Sequence, residues 1–173
     1  MSIRRIRIIG DPVLRTPAEE VKEVTEELIE LRQDLIDTML EANGLGLAAN
    51  QIGVLKKVVV INVEEIGVGK GIKVLVNPVV IFVEGTQNGE EGCLSIPGLY
   101  AELERPYFVK VEALEFKGKK LKPVTIEAEA LYARALLHEI DHLNGILFVD
   151  RMEEERRRIL LARWHEERKR SLL

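Results

Sequence analysis

A chain of 173 residues, 46% apolar and 31% charged with a net charge of −4, has the size and balance of one globular domain with its own core. The longest apolar run, Val79 to Val83, is far too short to span a membrane, and the single Cys93 excludes an internal disulfide. A disordered chain, a membrane protein and a direct DNA binder are all disfavoured, and a reducing, cytoplasmic setting is expected.

The isoleucines between Ile3 and Ile9 are broken by arginines, which leaves no signal-peptide core. Asp11-Pro12 and Thr16-Pro17 then punctuate an irregular start, because proline removes a backbone donor and biases its predecessor to extended geometry. Leu28, Leu31, Leu35, Ile36, Met39 and Leu40 keep helical spacing, so a helix is predicted from about Thr25 to Asn43. Thr25 is its cap, Glu26 and Glu27 suit its first turn, and Asn43-Gly44 ends it.

Residues 44–51, Gly-Leu-Gly-Leu-Ala-Ala-Asn-Gln, have the G-x-G-x-x-A spacing of a dinucleotide fingerprint. The context argues against that reading, since the fingerprint needs a strand before it and a helix after it. The glycines are better read as letting bare backbone approach a packed strand or a ligand. Lys57 to Val63 reads as a strand, and residues 67–71, Gly-Val-Gly-Lys-Gly, as a hairpin turn that lacks the Ser/Thr of a phosphate loop. Ile72 to Val76 and Val79 to Glu84 follow as strands around Asn77-Pro78. Glu91 to Gly98 is a short extended stretch closed by Pro97-Gly98. Phe108 to Phe116 and Leu121 to Glu129 are strands joined by a turn at residues 117–120.

A helix from Glu129 to Asn144, apolar on most sides and ended by Gly145, should be buried. Ile146 to Val149 is predicted as a short strand, and an amphipathic, charge-rich helix from about Glu153 closes the chain. That last part, residues 151–173, carries +3 and leaves −7 for the rest. The whole reads as a single α+β domain, with antiparallel β-sheets packed around a central metal-bearing helix and helices near both ends.

That central helix holds His138-Glu139-Ile140-Asp141-His142, an H-E-x-x-H pattern. Four helical residues advance about 400°, so His138 and His142 share a face and can share one metal ion. Glu139 lies one residue round, placed to bond a water and not the metal. The chain has only three histidines, and chance would give the pattern in roughly one chain of this length in two hundred.

A catalytic metal needs a third protein ligand. Phe148 occupies the position of a third histidine in the longer H-E-x-x-H-x-x-G-x-x-H pattern. Glu166 and Glu167 lie downstream, but in a basic segment that reads as a solvated helix face. Cys93, beside Gly92 and in a run closed by Pro97-Gly98, is the favoured ligand. Three alternatives stand beside this reading: a metalloprotease using Glu166, a ribosome- or RNA-binding protein with a structural metal, and a Cys93 nucleophile.

Three segments, residues 44–51, Glu91-Gly92-Cys93-Leu94-Ser95 and His138 to His142, resemble the motifs of peptide deformylases in order and separation. Asp11-Pro12-Val13-Leu14-Arg15 extends the similarity toward the start, whereas the part after Asp150 is variable in that family. Leu137 stands where the family usually has glutamine, so the polar contact that glutamine would make near the metal ligands is either absent or supplied by another residue. The resemblance implies hydrolysis of the N-formyl group from the initiator methionine of nascent peptides, releasing formate. It implies Cys93, His138 and His142 as ligands of Fe²⁺, with Ni²⁺ or Co²⁺ as active substitutes and Zn²⁺ a poorer one. Glu139 would shuttle the proton, while the Gln51 side chain and the Leu94 backbone N–H would stabilise the oxyanion. Gly46 and Leu45 would pair with the peptide substrate. The cationic excess of the last helix motivates an expectation that it docks on the ribosome.

Overall fold

In a computed structural model that describes residues 2–171, the chain forms a five-stranded antiparallel sheet, a two-stranded sheet and two long helices on either side of the larger sheet. The helices are α1 (Glu26–Glu41), the short α2 (Val63–Ile66), α3 (Ala130–Leu143) and α4 (Glu154–Ser171). The strands are β1 (Gly46–Ala48), β2 (Val58–Ile61), β3 (Lys73–Glu84), β4 (Gln87–Cys93), β5 (Ile96–Arg105), β6 (Phe108–Lys117) and β7 (Lys120–Glu129). The larger sheet runs β1-β2-β3-β6-β7, and β4 pairs with β5 alone. None of the helices among the described residues is long and apolar enough to cross a membrane.

Strand β2 shows why the layers form. All four of its residues are buried, and period two sends alternate side chains to opposite faces. Val58 and Val60 pack with Leu28, Leu31, Leu35 and Met39 of α1. Val59 and Ile61 pack with Leu136, Ile140 and Leu143 of α3. The expected α+β arrangement is present, with α3 buried from Tyr132 to Leu143 and reached from the other side by side chains of β4 and β5.

Helix α1 starts as its sequence predicts, with the Thr25 hydroxyl accepting the Leu28 N–H at 3.1 Å. Its end differs in detail: Asn43, not Gly44, takes the left-handed conformation (φ 55°). Gly44 instead packs closely, since a Cβ there would lie 2.9 Å from Leu94 Cδ1 and would push that side chain aside. At the far end of α3, a Cβ on Gly145 would lie 2.7 Å from the Arg15 carbonyl oxygen, and its φ is +77°.

Several expectations are corrected. The two strands predicted around Asn77-Pro78 are one strand, β3, with a register shift there. Asn77 takes φ 51° and its amide bonds both the N–H and the carbonyl of Val21, each at 2.8 Å, so the irregularity is pinned and not a break. Residues 67–71 do not make a hairpin alone; α2, capped by Asn62, precedes them and ends β2 at Ile61. Ile146 to Val149 is no strand, because Leu147 leads into a 3-10 helix, Phe148–Arg151, whose Asp150 carboxylate accepts the Leu147 N–H at 2.8 Å. The short stretch at Glu91 to Gly98 is the turn of a long hairpin, β4–β5. Helix α4 is not evenly amphipathic, since Trp164 is its one buried residue among those described.

Candidate metal centre

Helix α3 delivers His138 and His142 to one face, their ring centroids 5.0 Å apart. The β4–β5 hairpin delivers Cys93 to the same point. One ligand atom from each of the three lies within 4.8 Å of the others, and Cys93 Sγ is 3.3 Å from His142 Nε2. A thiolate and two imidazoles are a donor set for a borderline divalent ion, and their convergence fits one. The competing third ligands are elsewhere: Glu166 and Glu167 are exposed on α4, and Phe148 is buried and stacked on the His138 ring at 5.9 Å.

Two of the three donors, His138 and Cys93, are oriented by hydrogen-bonding neighbours. The Glu91 carboxylate lies 2.9 Å from His138 Nδ1. Burial opposes ionisation of Glu91, but bonds from Arg105 and His138 hold its pKa at about 2. An ionised Glu91 can only accept, so His138 Nδ1–H donates and Nε2 is left for a metal. Arg105 grips Glu91 with two bonds of 2.8 and 2.9 Å and reaches Asp141 at 2.8 Å. Arg134 adds a bond to Glu91 at 2.7 Å, and Arg151 holds Asp141 by two more. Cys93 Sγ accepts the Ser95 N–H at 3.4 Å and faces the Gln51 amide at 3.7 Å. The Gln51 amide is itself fixed, with Oε1 accepting the Ala48 N–H at 2.9 Å and Nε2 donating to Ser95 Oγ at 3.1 Å. Asn50 donates to the backbone carbonyl of His142, which ties the glycine-rich segment to α3.

Glu139 is 5% exposed, and its Oε1 has no hydrogen-bond partner among the described residues. Burial, opposed by the neighbouring His138, pushes its pKa up to about 7. A buried carboxyl with an open oxygen and a near-neutral pKa suits a group that takes and returns a proton. Gly46 lies against it: a Cβ at Gly46 would be 2.7 Å from Glu139 Oε2. Burial, followed by the proximity of His138, lowers the proton affinity of His142 well below that of an ordinary histidine.

A cleft of about 610 Å³ opens over these groups. Leu45, Gly46, Gln51, Cys93, Leu94, His138 and Glu139 all line it, so every residue singled out from sequence except the more deeply buried His142 faces one cavity. Sequence reasoning missed Arg105, Arg134 and the roles of Glu91 and Asp141. The last two stand inside recognised motifs and carry charge, which was a usable signal. Arg105 had none, because only the β4–β5 pairing brings it to Glu91.

Two buried histidines of an H-E-x-x-H helix joined by a half-buried cysteine, with a carboxyl beside them and a cleft above, define a metal-dependent hydrolase. The chain belongs to the polypeptide deformylase family, whose sequence profile matches residues 3–158. The peptide deformylase of Thermoanaerobacter pseudethanolicus is 48% identical over 164 residues, which are 92% of this chain and 98% of that protein. The peptide deformylase structure from Legionella pneumophila is 39% identical with a TM-score of 0.88, covering 98% of each chain. That from Ehrlichia chaffeensis in complex with actinonin is 34% identical with a TM-score of 0.86, covering 96% of this chain and 98% of the other. The protein is an enzyme that hydrolyses the N-formyl amide of nascent polypeptides, and its family is metal-dependent.

Proposed function

We propose that Cys93, His138 and His142 hold one Fe²⁺ ion, and that Glu139, Gln51 and Leu94 carry out deformylation of formyl-methionyl peptides around it. The observation that carries this reading is the convergence of the three donors within 4.8 Å at the floor of the cleft. When bound, the ion supplies Lewis-acid chemistry and makes a water nucleophilic near neutral pH.

The residues do the rest. The Glu139 carboxylate takes the proton of the attacking water and delivers it to the departing methionine nitrogen. As the formyl carbon becomes tetrahedral, the Gln51 Nε2–H₂ and the Leu94 N–H donate to its oxygen. Gln51 is suited to this because its amide is already held at both ends, so little reorganisation is needed. The Leu45–Gly46 backbone pairs with the extended peptide, and the lack of a side chain at Gly46 leaves Glu139 its place.

Iron is preferred here on the family resemblance, since the same donors would take Zn²⁺, Ni²⁺ or Co²⁺, and raw affinity alone favours zinc over iron. The 173 residues act as one catalytic domain, working on the nascent chain in the cytoplasm. Docking on the ribosome through α4 is part of the same reading. Its support is the row of exposed arginines at 156, 158, 163, 168 and 170, together with Lys169. The i,i+4 pairs Glu153–Arg157 and Glu154–Arg158, the alternative use of that charge, are absent among the ion pairs of the described residues; Arg157 instead meets Asp150 at 3.4 Å. Formate release from formyl-Met-Ala-Ser, assayed with metal analysis of wild type and Cys93→Ala, tests the proposal. Loss of metal and of turnover together supports it, whereas an active, metal-retaining Cys93→Ala protein overturns it.

A further inference from the structure

We propose that Trp164 of α4 is a positioning residue for the substrate cleft, holding its Pro97–Leu99 lip in place through the indole N–H. Trp164 lies beyond residues 3–158, the part matched by the family profile. The proposal rests on reading the 610 Å³ cleft as the peptide site.

The lip is a bulge. On β4 and β5, Gly92 pairs with Tyr100 and the next residue, Cys93, pairs with Ile96. Pro97, Gly98 and Leu99 therefore have no register partner on β4, and the ladder cannot hold them. Gly98 takes φ +82°, the conformation that lets the segment turn out. Pro97 and Gly98 are exposed and line the cleft, while Ile96 and Leu99 on either side are buried. The lip thus stands one residue from Ser95, which contacts both Cys93 and Gln51.

A bulged carbonyl without a ladder partner needs a donor. Trp164 supplies it: its Nε1–H donates to the Pro97 oxygen at 2.7 Å. The indole is 7% exposed and packs in one cluster with Ile96, Leu99 and Leu103, flanked by Leu160 and Leu161. Arg156 makes a second tie between α4 and β5, donating to the Glu102 carbonyl at 2.8 Å. The Arg168 guanidinium covers the outer side of the ring at 5.2 Å. Helix α4 turns its one fully buried side chain onto the irregular backbone that edges the cleft.

The test compares Trp164→Phe, which keeps an aromatic ring and removes the N–H, with Leu160→Ala, which loosens the same helix without touching the bond. In Trp164→Phe, metal content and kcat should stay within about twofold of wild type. KM for formyl-Met-Ala-Ser should rise about three- to tenfold, the size of one neutral hydrogen bond. Amide hydrogen exchange over residues 96–100 should quicken in this variant and not in Leu160→Ala. Unchanged KM and exchange in Trp164→Phe, or equal changes in both variants, overturn the proposal. Exchange does not depend on turnover, so an inactive wild type would reject the functional reading and still leave the lip testable. Should Trp164→Phe not fold, the emission of this sole tryptophan in unaltered protein serves. It should shift as Met-Ala-Ser fills the cleft, and an unchanged spectrum at saturation overturns the proposal.

Discussion

Glu139 and Gly46 form a pair at the level of single atoms, one carboxylate oxygen lying only 2.7 Å from where a Cβ on residue 46 would be. In the proposed mechanism Glu139 moves a proton and is not a ligand, so Glu139→Ala should keep its metal and lose about 10²–10⁴-fold in kcat, read by formate release beside metal analysis. A variant within twofold of wild type would remove Glu139 from the mechanism. Gly46→Ala should likewise keep its metal, since no ligand is touched. Its methyl group displaces the Glu139 carboxylate, and a misplacement of that order costs about 10²-fold in kcat/KM. Retained activity in Gly46→Ala would show that Glu139 has room to work elsewhere. At this scale the sequence was most informative. His138, Glu139 and His142 are related by helical spacing, which survives any tertiary arrangement. The contact between Gly46 and Glu139 spans 93 positions and follows from no local rule.

At the scale of elements, the β4–β5 hairpin does two jobs, bringing in Cys93 and carrying the Glu91–Arg105 pair under His138. Removing one partner of a buried ion network leaves the others uncompensated. Arg105→Ala should therefore cost about 3–5 kcal/mol of stability in denaturant unfolding. Freed from its orienting carboxylate geometry, the His138 side should also bind metal about 10–100-fold more weakly. A variant unfolding within 1 kcal/mol of wild type, a bound taken from ordinary surface substitutions of about 0.5 kcal/mol, would show that the network is dispensable. This hairpin was the element least legible in the sequence. Gln87 to Cys93 has no apolar alternation, and Pro97-Gly98 interrupts the one in β5 that buries Ile96, Leu99, Ala101 and Leu103. Strands β2, β6 and β7 and helices α1 and α3 were legible, the strands from β-branched apolar runs such as Val58 to Ile61 and the helices from spacing such as that of the α1 leucines. Helix α4 belongs here too. Replacing Arg163 and Arg170 by alanine leaves Trp164 in place, and should weaken salt-dependent ribosome binding without changing turnover of a short peptide. Equal binding by that variant would assign the cationic face no part in docking.

Across the whole molecule, three stretches far apart in the chain meet at one point because β2 is buried between α1 and α3 while the β4–β5 hairpin closes on α3 from the other side. The glycine-rich segment is carried in beside β2 through the β1–β2 pairing, and Asn50 fastens it to the end of α3. This assembly brings Gln51, Cys93 and Glu139 to one cleft although no two of them share an element. The proposal of iron over zinc rests on family resemblance and not on ligand chemistry, since a thiolate and two imidazoles suit either ion. The most direct test is therefore formate release from formyl-Met-Ala-Ser by protein reconstituted anaerobically with one Fe²⁺, with and without a chelator. The expected result is turnover that disappears on chelation, returns with Fe²⁺ and is slower with Zn²⁺ under the same conditions. Turnover that survives complete removal of metal would contradict the account, since the Cys93, His138 and His142 cluster would then not be its catalytic centre.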